Sequence, residues 1–251
     1  MTATSSDKLR AGLVLVSTLA MIVFNGLAST GKINGVMTDE VSNRYPTVIT
    51  PAGFTFSIWA VIYLGLLGFS IYQLLPSKNE FFRPVRTLYI ASCVLNCAWL
   101  WSWHQYQIGA CVAIIGGLLV SLLFINLRFK KAGSFGESLF GKGVFGLYFG
   151  WVTAATLVNI VIYMIYVGVE MSPAAWKVTG VGALAIAAAC AVIVRFKLKN
   201  YLYPLAIAWA ATGIGVNQSG NTAITVATAF CLIVGLVMAV SFVMDQKSTT
   251  T

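Results

Sequence analysis

The sequence predicts an all-α protein, a polytopic transmembrane helical bundle of about eight spans, and three observations predict it. Apolar residues make up 59% of the chain and charged residues only 9%, whereas a water-soluble domain carries roughly a quarter of its residues charged. The charges are segregated, which leaves uncharged runs of about 20 residues, enough to cross a hydrocarbon core. The cations alternate between rich and poor connections along the chain.

The runs lie near 11–30, 52–75, 86–104, 107–127, 143–168, 175–194, 200–217 and 222–244. Backbone groups inside hydrocarbon must bond within their own segment, so each run is predicted to be a helix. One side of the resulting topology holds Lys8, Arg10, Lys78, Arg83, Arg86, Arg128, Lys130, Lys131, Lys142, Arg195, Lys197, Lys199 and Lys247; the other holds only Lys32, Arg44 and Lys177. That asymmetry predicts cytoplasmic N- and C-termini; a bacterial cytoplasmic membrane is the expected location, and organelle membranes fit the same pattern. It also accounts for the net charge of +9 without nucleic acid, which would need one continuous basic surface. The lipid bilayer is the expected partner.

Prolines punctuate the spans. Pro51, Pro84, Pro173 and Pro204 fall near helix starts, where a missing N–H costs little, and Pro76 stops the second span. Ser172 and Asn200 are candidate N-caps. The longest connection, 31–50, is polar and reads as a lid-like loop. The organisation read from these marks is an N-terminal tail 1–10, a core 11–168, three further helices over 169–244 and a C-terminal tail 245–251. "MTATSSDKLR" resembles neither a transit peptide nor a cleaved signal, so the first span is expected to remain as an anchor. Small-residue faces at Gly146–Gly150 and Gly180–Cys190 suit close helix contact, within the chain or across a homodimer.

Little in the chain supports catalysis, and no enzyme is predicted. Apart from Arg86 and Lys177 at span edges, the spans contain no Asp, Glu, Lys or Arg, and no Ser/His/Asp set, HExxH or phosphate-cradling loop occurs. The five cysteines lie inside spans and read as buried thiols rather than a disulfide framework or metal site. The polar groups left are mostly amides, Asn25, Asn96, Asn126, Asn159, Asn217 and Gln218, whose default role is hydrogen bonding between helices. In "NCAWLWSWHQYQ" helical spacing puts Asn96, Trp99 and Trp103 on one stripe. Trp101, Trp103 and His104 read as interfacial belt residues, and Trp99, a turn deeper, as a pocket or packing residue.

Three separated blocks resemble the TspO/MBR family, the translocator or tryptophan-rich sensory proteins. Pro46 and Pro51 precede a W-x-x-x-Y helix at Trp59 and Tyr63. "LNCAWLWSWHQYQIG" carries N-x-x-W at Asn96 and Trp99. "LYFGWVTAATLVN" carries Tyr148, Trp151, Ala155, Thr156, Leu157 and Asn159 in the order of the family's fifth-helix signature. The resemblance covers about residues 11–168 and departs at Val48, Gly53 and Ala110, where the family has tryptophans. It implies a five-helix core, extended here by three C-terminal helices, around a cavity for flat hydrophobic ligands. Porphyrin or heme is the implied ligand, with no cofactor required, and the implied ligand-binding residues are Trp59, Tyr63, Asn96, Trp99, Tyr148, Trp151, Ala155 and Asn159. The expected function is therefore binding of a hydrophobic or tetrapyrrole-type ligand as sensor, carrier or regulator. The alternatives are a secondary transporter of a small neutral or amphipathic solute and an assembly subunit of a membrane complex.

Overall fold

The computed structural model describes residues 5–242, so the expected tail 245–251, with Lys247, lies outside the described residues. In chain order the helices are α1 (Ser5–Ser29), α2 (Thr38–Arg44), α3 (Ile58–Tyr72), α4 (Asn79–Phe82), α5 (Arg86–His104), α6 (Ile108–Phe129), α7 (Val144–Tyr166), α8 (Pro173–Leu198), α9 (Leu202–Asn217) and α10 (Thr222–Val240). Each of the eight expected spans is a helix, and α2 and α4 are short additions between them. Ser172 caps α8 by accepting from the Ala175 N–H at 3.2 Å. Asn200 does the same for α9, its Oδ1 accepting from the N–H groups of Leu202 and Tyr203 at 3.1 Å each.

Six of these helices are long and apolar enough to cross a membrane: α1, α3 with the 3-10 turn before it, α6, α7 with the π-helical segment Glu137–Gly143 before it, α8 and α10. The other two differ from expectation for separate reasons. With 16 residues, α9 rises about 24 Å, short of a hydrocarbon core of ~30 Å. Arg86, Ser92, Asn96, Ser102 and His104 all lie on the buried side of α5, which trades apolarity for hydrogen-bonding capacity.

The chain forms two compact units. One comprises the chain up to Val41 together with Ile58–Phe145, and the other comprises Ser42–Ser57 together with the chain from Gly146 onward. In the first unit α5 packs against α1 and α6, and α1 also packs against α3. The buried face of α1 repeats at helical spacing through Asp7, Ala11, Val14, Thr18, Met21, Asn25 and Ala28. In the second unit α8, α9 and α10 pack on one another. Gly150 of α7 lets that helix come against the Tyr203 carbonyl, a spot that any Cβ would fill.

Charges at the helix ends depart most from expectation. Residues 5–10, expected as tail, begin α1, and Asp7 is buried. Arg86, expected at a span edge, is 1% exposed and belongs to a polar knot. It donates to Gln73 Oε1 at 2.7 Å, Asn79 Oδ1 at 2.7 Å, the Gln73 carbonyl at 3.0 Å and the Asp7 carbonyl at 3.3 Å. The Asp7 carboxylate pairs with Arg83 at 2.9 Å. Arg195, expected just past the sixth apolar segment, lies inside α8 and is buried, donating to Ser241 Oγ at 2.5 Å and stacking on Tyr201 with 4.4 Å to the ring centroid. Nearby polar and aromatic groups replace the water these cations would otherwise need, so they can be buried. Outside the spans, Lys78 bonds Glu137 at 2.9 Å, and that hydrogen bond holds the ammonium above its ordinary pKa range.

Arg86→Ala removes four donated hydrogen bonds from a buried site. The expected cost is roughly 3 kcal/mol or more, read as a lower midpoint in detergent unfolding. An unchanged midpoint with unchanged helicity would show that the knot does not hold the first unit together.

Candidate functional site

The eight implied ligand residues fall four in each unit. In the first unit they come together as an aromatic run. Trp59 and Tyr63, one turn apart on α3, stack with ring centroids 5.3 Å apart at 12°. Trp59 meets Trp99 of α5 at 6.4 Å and 37°, and Trp99 stacks on Trp103, one turn along, at 5.7 Å and 24°. Stacked and tilted pairs at these separations are favourable ring geometries. Trp59 is half-buried, whereas Tyr63, Trp99 and Trp103 are buried.

Asn96 lies one turn below Trp99 and is fully buried. Its Oδ1 accepts from Asn25 Nδ2 at 2.9 Å, and Asn25 also donates to the Met21 carbonyl at 2.9 Å. This is an amide bridge between α1 and α5, the helix-joining role the sequence assigns to buried amides. Asn126 plays a similar part, donating to the Leu122 and Phe145 carbonyls at 2.9 and 3.0 Å.

The belt assignment needs correcting at two positions. Trp101 is half exposed, as a belt residue should be. Trp103 is instead buried and donates from Nε1 to the Thr38 carbonyl at 3.0 Å. His104 is also buried, its Nδ1 2.8 Å from the Leu100 carbonyl, while its own carbonyl accepts from Asn34 at 2.7 Å. The segment after α1 folds back over the end of α5 and shields both side chains. Trp103 therefore extends the aromatic run; its place four residues after Trp99 was the available signal.

In the second unit the other four residues line α7. Tyr148 and Trp151 are buried, and Trp151 meets Phe56 edge-on at 6.1 Å and 83°. Asn159 donates to the Ala155 carbonyl of its own helix at 2.9 Å. Phe56 and Trp209 are aromatic contributors that spacing did not bring out, because both depend on where the residues before α3 lie. Trp209 Nε1 donates to the Thr55 carbonyl at 2.8 Å, and its ring meets Phe54 edge-on at 5.7 Å.

Apolar helices of membrane length, buried polar side chains paired to one another and an aromatic run beside a buried amide define a polytopic helical membrane protein. The chain belongs to the TSPO-like protein family, whose model matches residues 11–242. The match continues through α8, α9 and α10 rather than stopping at residue 168. No curated protein and no solved structure matches the chain.

Asn96→Ala is expected to weaken the first unit by about 1 kcal/mol, the usual worth of one interhelical hydrogen bond in a membrane. Equilibrium unfolding in mixed SDS micelles reads this out. A loss as large as that of Arg86→Ala would mean that Asn96 does more than bridge α1 and α5.

Proposed function

We propose that this TSPO-like membrane protein binds a flat hydrophobic ligand of the tetrapyrrole class through the aromatic run of its first unit, acting as a sensor, carrier or regulator. The observation that carries this reading is the run itself: four rings, Tyr63, Trp59, Trp99 and Trp103, in consecutive contact across α3 and α5. A macrocycle with a wide π-face gains most from a wall of this kind. Trp59 is the one ring of the four not fully buried, so it is the ring a ligand meets first. Asn96 is held by Asn25 and serves the frame of the site rather than the ligand.

Size argues against the obvious competitor within the second unit. Its apolar cavity, walled partly by Ala154 and Leu157, has a volume of about 20 Å³. Sites for drug-sized ligands need roughly 300 Å³ or more. A tetrapyrrole does not fit there, and Tyr148, Trp151, Ala155 and Asn159 support this reading through the family pattern alone.

Titration of the protein in nanodiscs with protoporphyrin IX, followed by tryptophan quenching and the porphyrin absorption band, tests the proposal. Saturable binding is expected, and Trp59→Ala should weaken it about tenfold, corresponding to ~1.4 kcal/mol. Trp101→Ala, which changes a ring outside the run, should leave affinity unchanged. Equal affinity for the wild type and Trp59→Ala would remove the aromatic run from the site. Porphyrin flux in sealed liposomes then distinguishes a carrier from a static binder.

A further inference from the structure

The residues before α3 and the C-terminal helices create a feature in the second unit that the aromatic run does not use. Residues 47–50 form a tight turn: Thr50 N–H donates to the Thr47 carbonyl at 3.2 Å, Thr47 N–H to Thr50 Oγ1 at 2.7 Å, and Ile49 N–H to Thr47 Oγ1 at 3.1 Å. Its two central side chains reach α8 at Gly180, where a Cβ would stand 2.7 Å from Val48 and 3.3 Å from Ile49. A glycine here permits the close approach of the turn.

Ile49 is 2% exposed and lines the cavity of about 20 Å³. Every other wall residue lies on α7, α8, α9 or α10, and five of them are alanines: Ala154, Ala183, Ala187, Ala210 and Ala211. Four helices therefore surround Ile49 with an apolar wall in which alanines alternate with branched aliphatics such as Leu157, Leu184 and Ile207, and Ile49 alone comes from outside the helices. Withdrawing it would add the volume of a four-carbon side chain to the existing void. The wall carries no hydrogen-bonding side chain apart from the Cys231 thiol. Dry apolar cavities of this kind accept small hydrocarbons and noble gases and exclude water.

The turn is fastened at its rim. Gln218 Nε2 donates to the Thr47 carbonyl at 3.1 Å and Asn217 Nδ2 to the Thr50 carbonyl at 3.0 Å. Further along, Ala52 N–H donates to the Gly213 carbonyl at 3.0 Å. Asn217 is exposed and Gln218 half-buried, so water can take over their hydrogen bonds when the turn lifts. Lifting residues 47–50 while the Ala52–Gly213 bond holds therefore strands no buried polar group. Ile49, in contrast, leaves an apolar wall that only an apolar occupant can satisfy.

We propose that the second unit holds a binding site for a small apolar molecule of hydrocarbon character, stoppered by Ile49 and latched by Asn217 and Gln218. This site goes beyond the tetrapyrrole reading and is independent of it: its wall is apolar, its room is the small void plus the space of one Ile side chain, and no residue of the aromatic run belongs to it.

The test uses the full chain in nanodiscs, with benzene as the ligand and peptide-resolved alkylation by N-ethylmaleimide as the readout. Cys231, on the cavity wall and 1% exposed, reports opening; Cys111, fully buried in the first unit, is the internal reference. Asn217→Ala combined with Gln218→Ala should raise the Cys231 rate at least tenfold and leave Cys111 unchanged. Benzene should then slow Cys231 severalfold, and adding Ala187→Leu, which fills the wall, should abolish that protection. An unchanged Cys231 rate, a parallel rise at Cys111, or a failure of benzene to protect Cys231 would each overturn the proposal.

Discussion

A polar side chain inside an apolar helical bundle has no water to turn to, so it must find its partner among neighbouring helices. In the first unit this constraint operates at three levels along α1 and α5. Asp7 belongs to the level where Arg86, Arg83 and Gln73 gather. Further along, Thr18 Oγ1 lies 2.5 Å from Ser70 Oγ and 2.6 Å from Tyr89 OH, linking α1, α3 and α5. Deeper still, Asn25 meets Asn96. Each level sets the register of α1 against α5, because sliding one helix by a turn would break all three at once. The aromatic run depends on that register, since Trp99 and Trp103 reach Trp59 from the same helix that carries Arg86, Tyr89 and Asn96.

The levels differ in strength. A neutral amide pair in a membrane contributes about 1 kcal/mol, because the separated helices also find partners. A buried guanidinium with four acceptors contributes more, since removing it leaves charged and polar groups without compensation. The knot around Arg86 therefore dominates the stability of the first unit, and the deeper bridges determine alignment. In the second unit geometry does comparable work with smaller groups. Gly150 lets α7 approach the Tyr203 carbonyl, Gly180 admits the Thr47–Thr50 turn, and Tyr203 donates to Thr153 at 2.8 Å.

The C-terminal helices gain a specific task from this arrangement. A loop that reads from composition as a lid contains the helix α2 and ends in a turn fastened to α9. Four bonds hold the strand of chain from Thr47 to Thr55, and their α9-side partners are Trp209, Gly213, Asn217 and Gln218. The family match through α10 agrees with these helices being integral to the protein.

Composition and periodicity by themselves determined the membrane class, the helical class and the position of the eight expected helices, because hydrocarbon forces any long apolar run to satisfy its backbone internally. Local caps such as Ser172 and Asn200 were legible for the same reason: their partners lie within three residues. The neighbourhood of Trp59, Tyr63, Asn96 and Trp99 was readable through motif spacing. Only the tertiary structure decided which groups meet across the chain. Trp103 and His104 looked interfacial until the chain after α1 folded over them, and Arg86 and Arg195 looked solvated until Gln73, Asn79, Ser241 and Tyr201 took the place of water. Thr18, Ser70 and Tyr89 carry no individual signal, since a hydroxyl in an apolar run reads as neutral until a second one faces it. A pairing between residues 71 positions apart, as for Asn25 and Asn96, is a property of helix register, and register is set by all the buried contacts together.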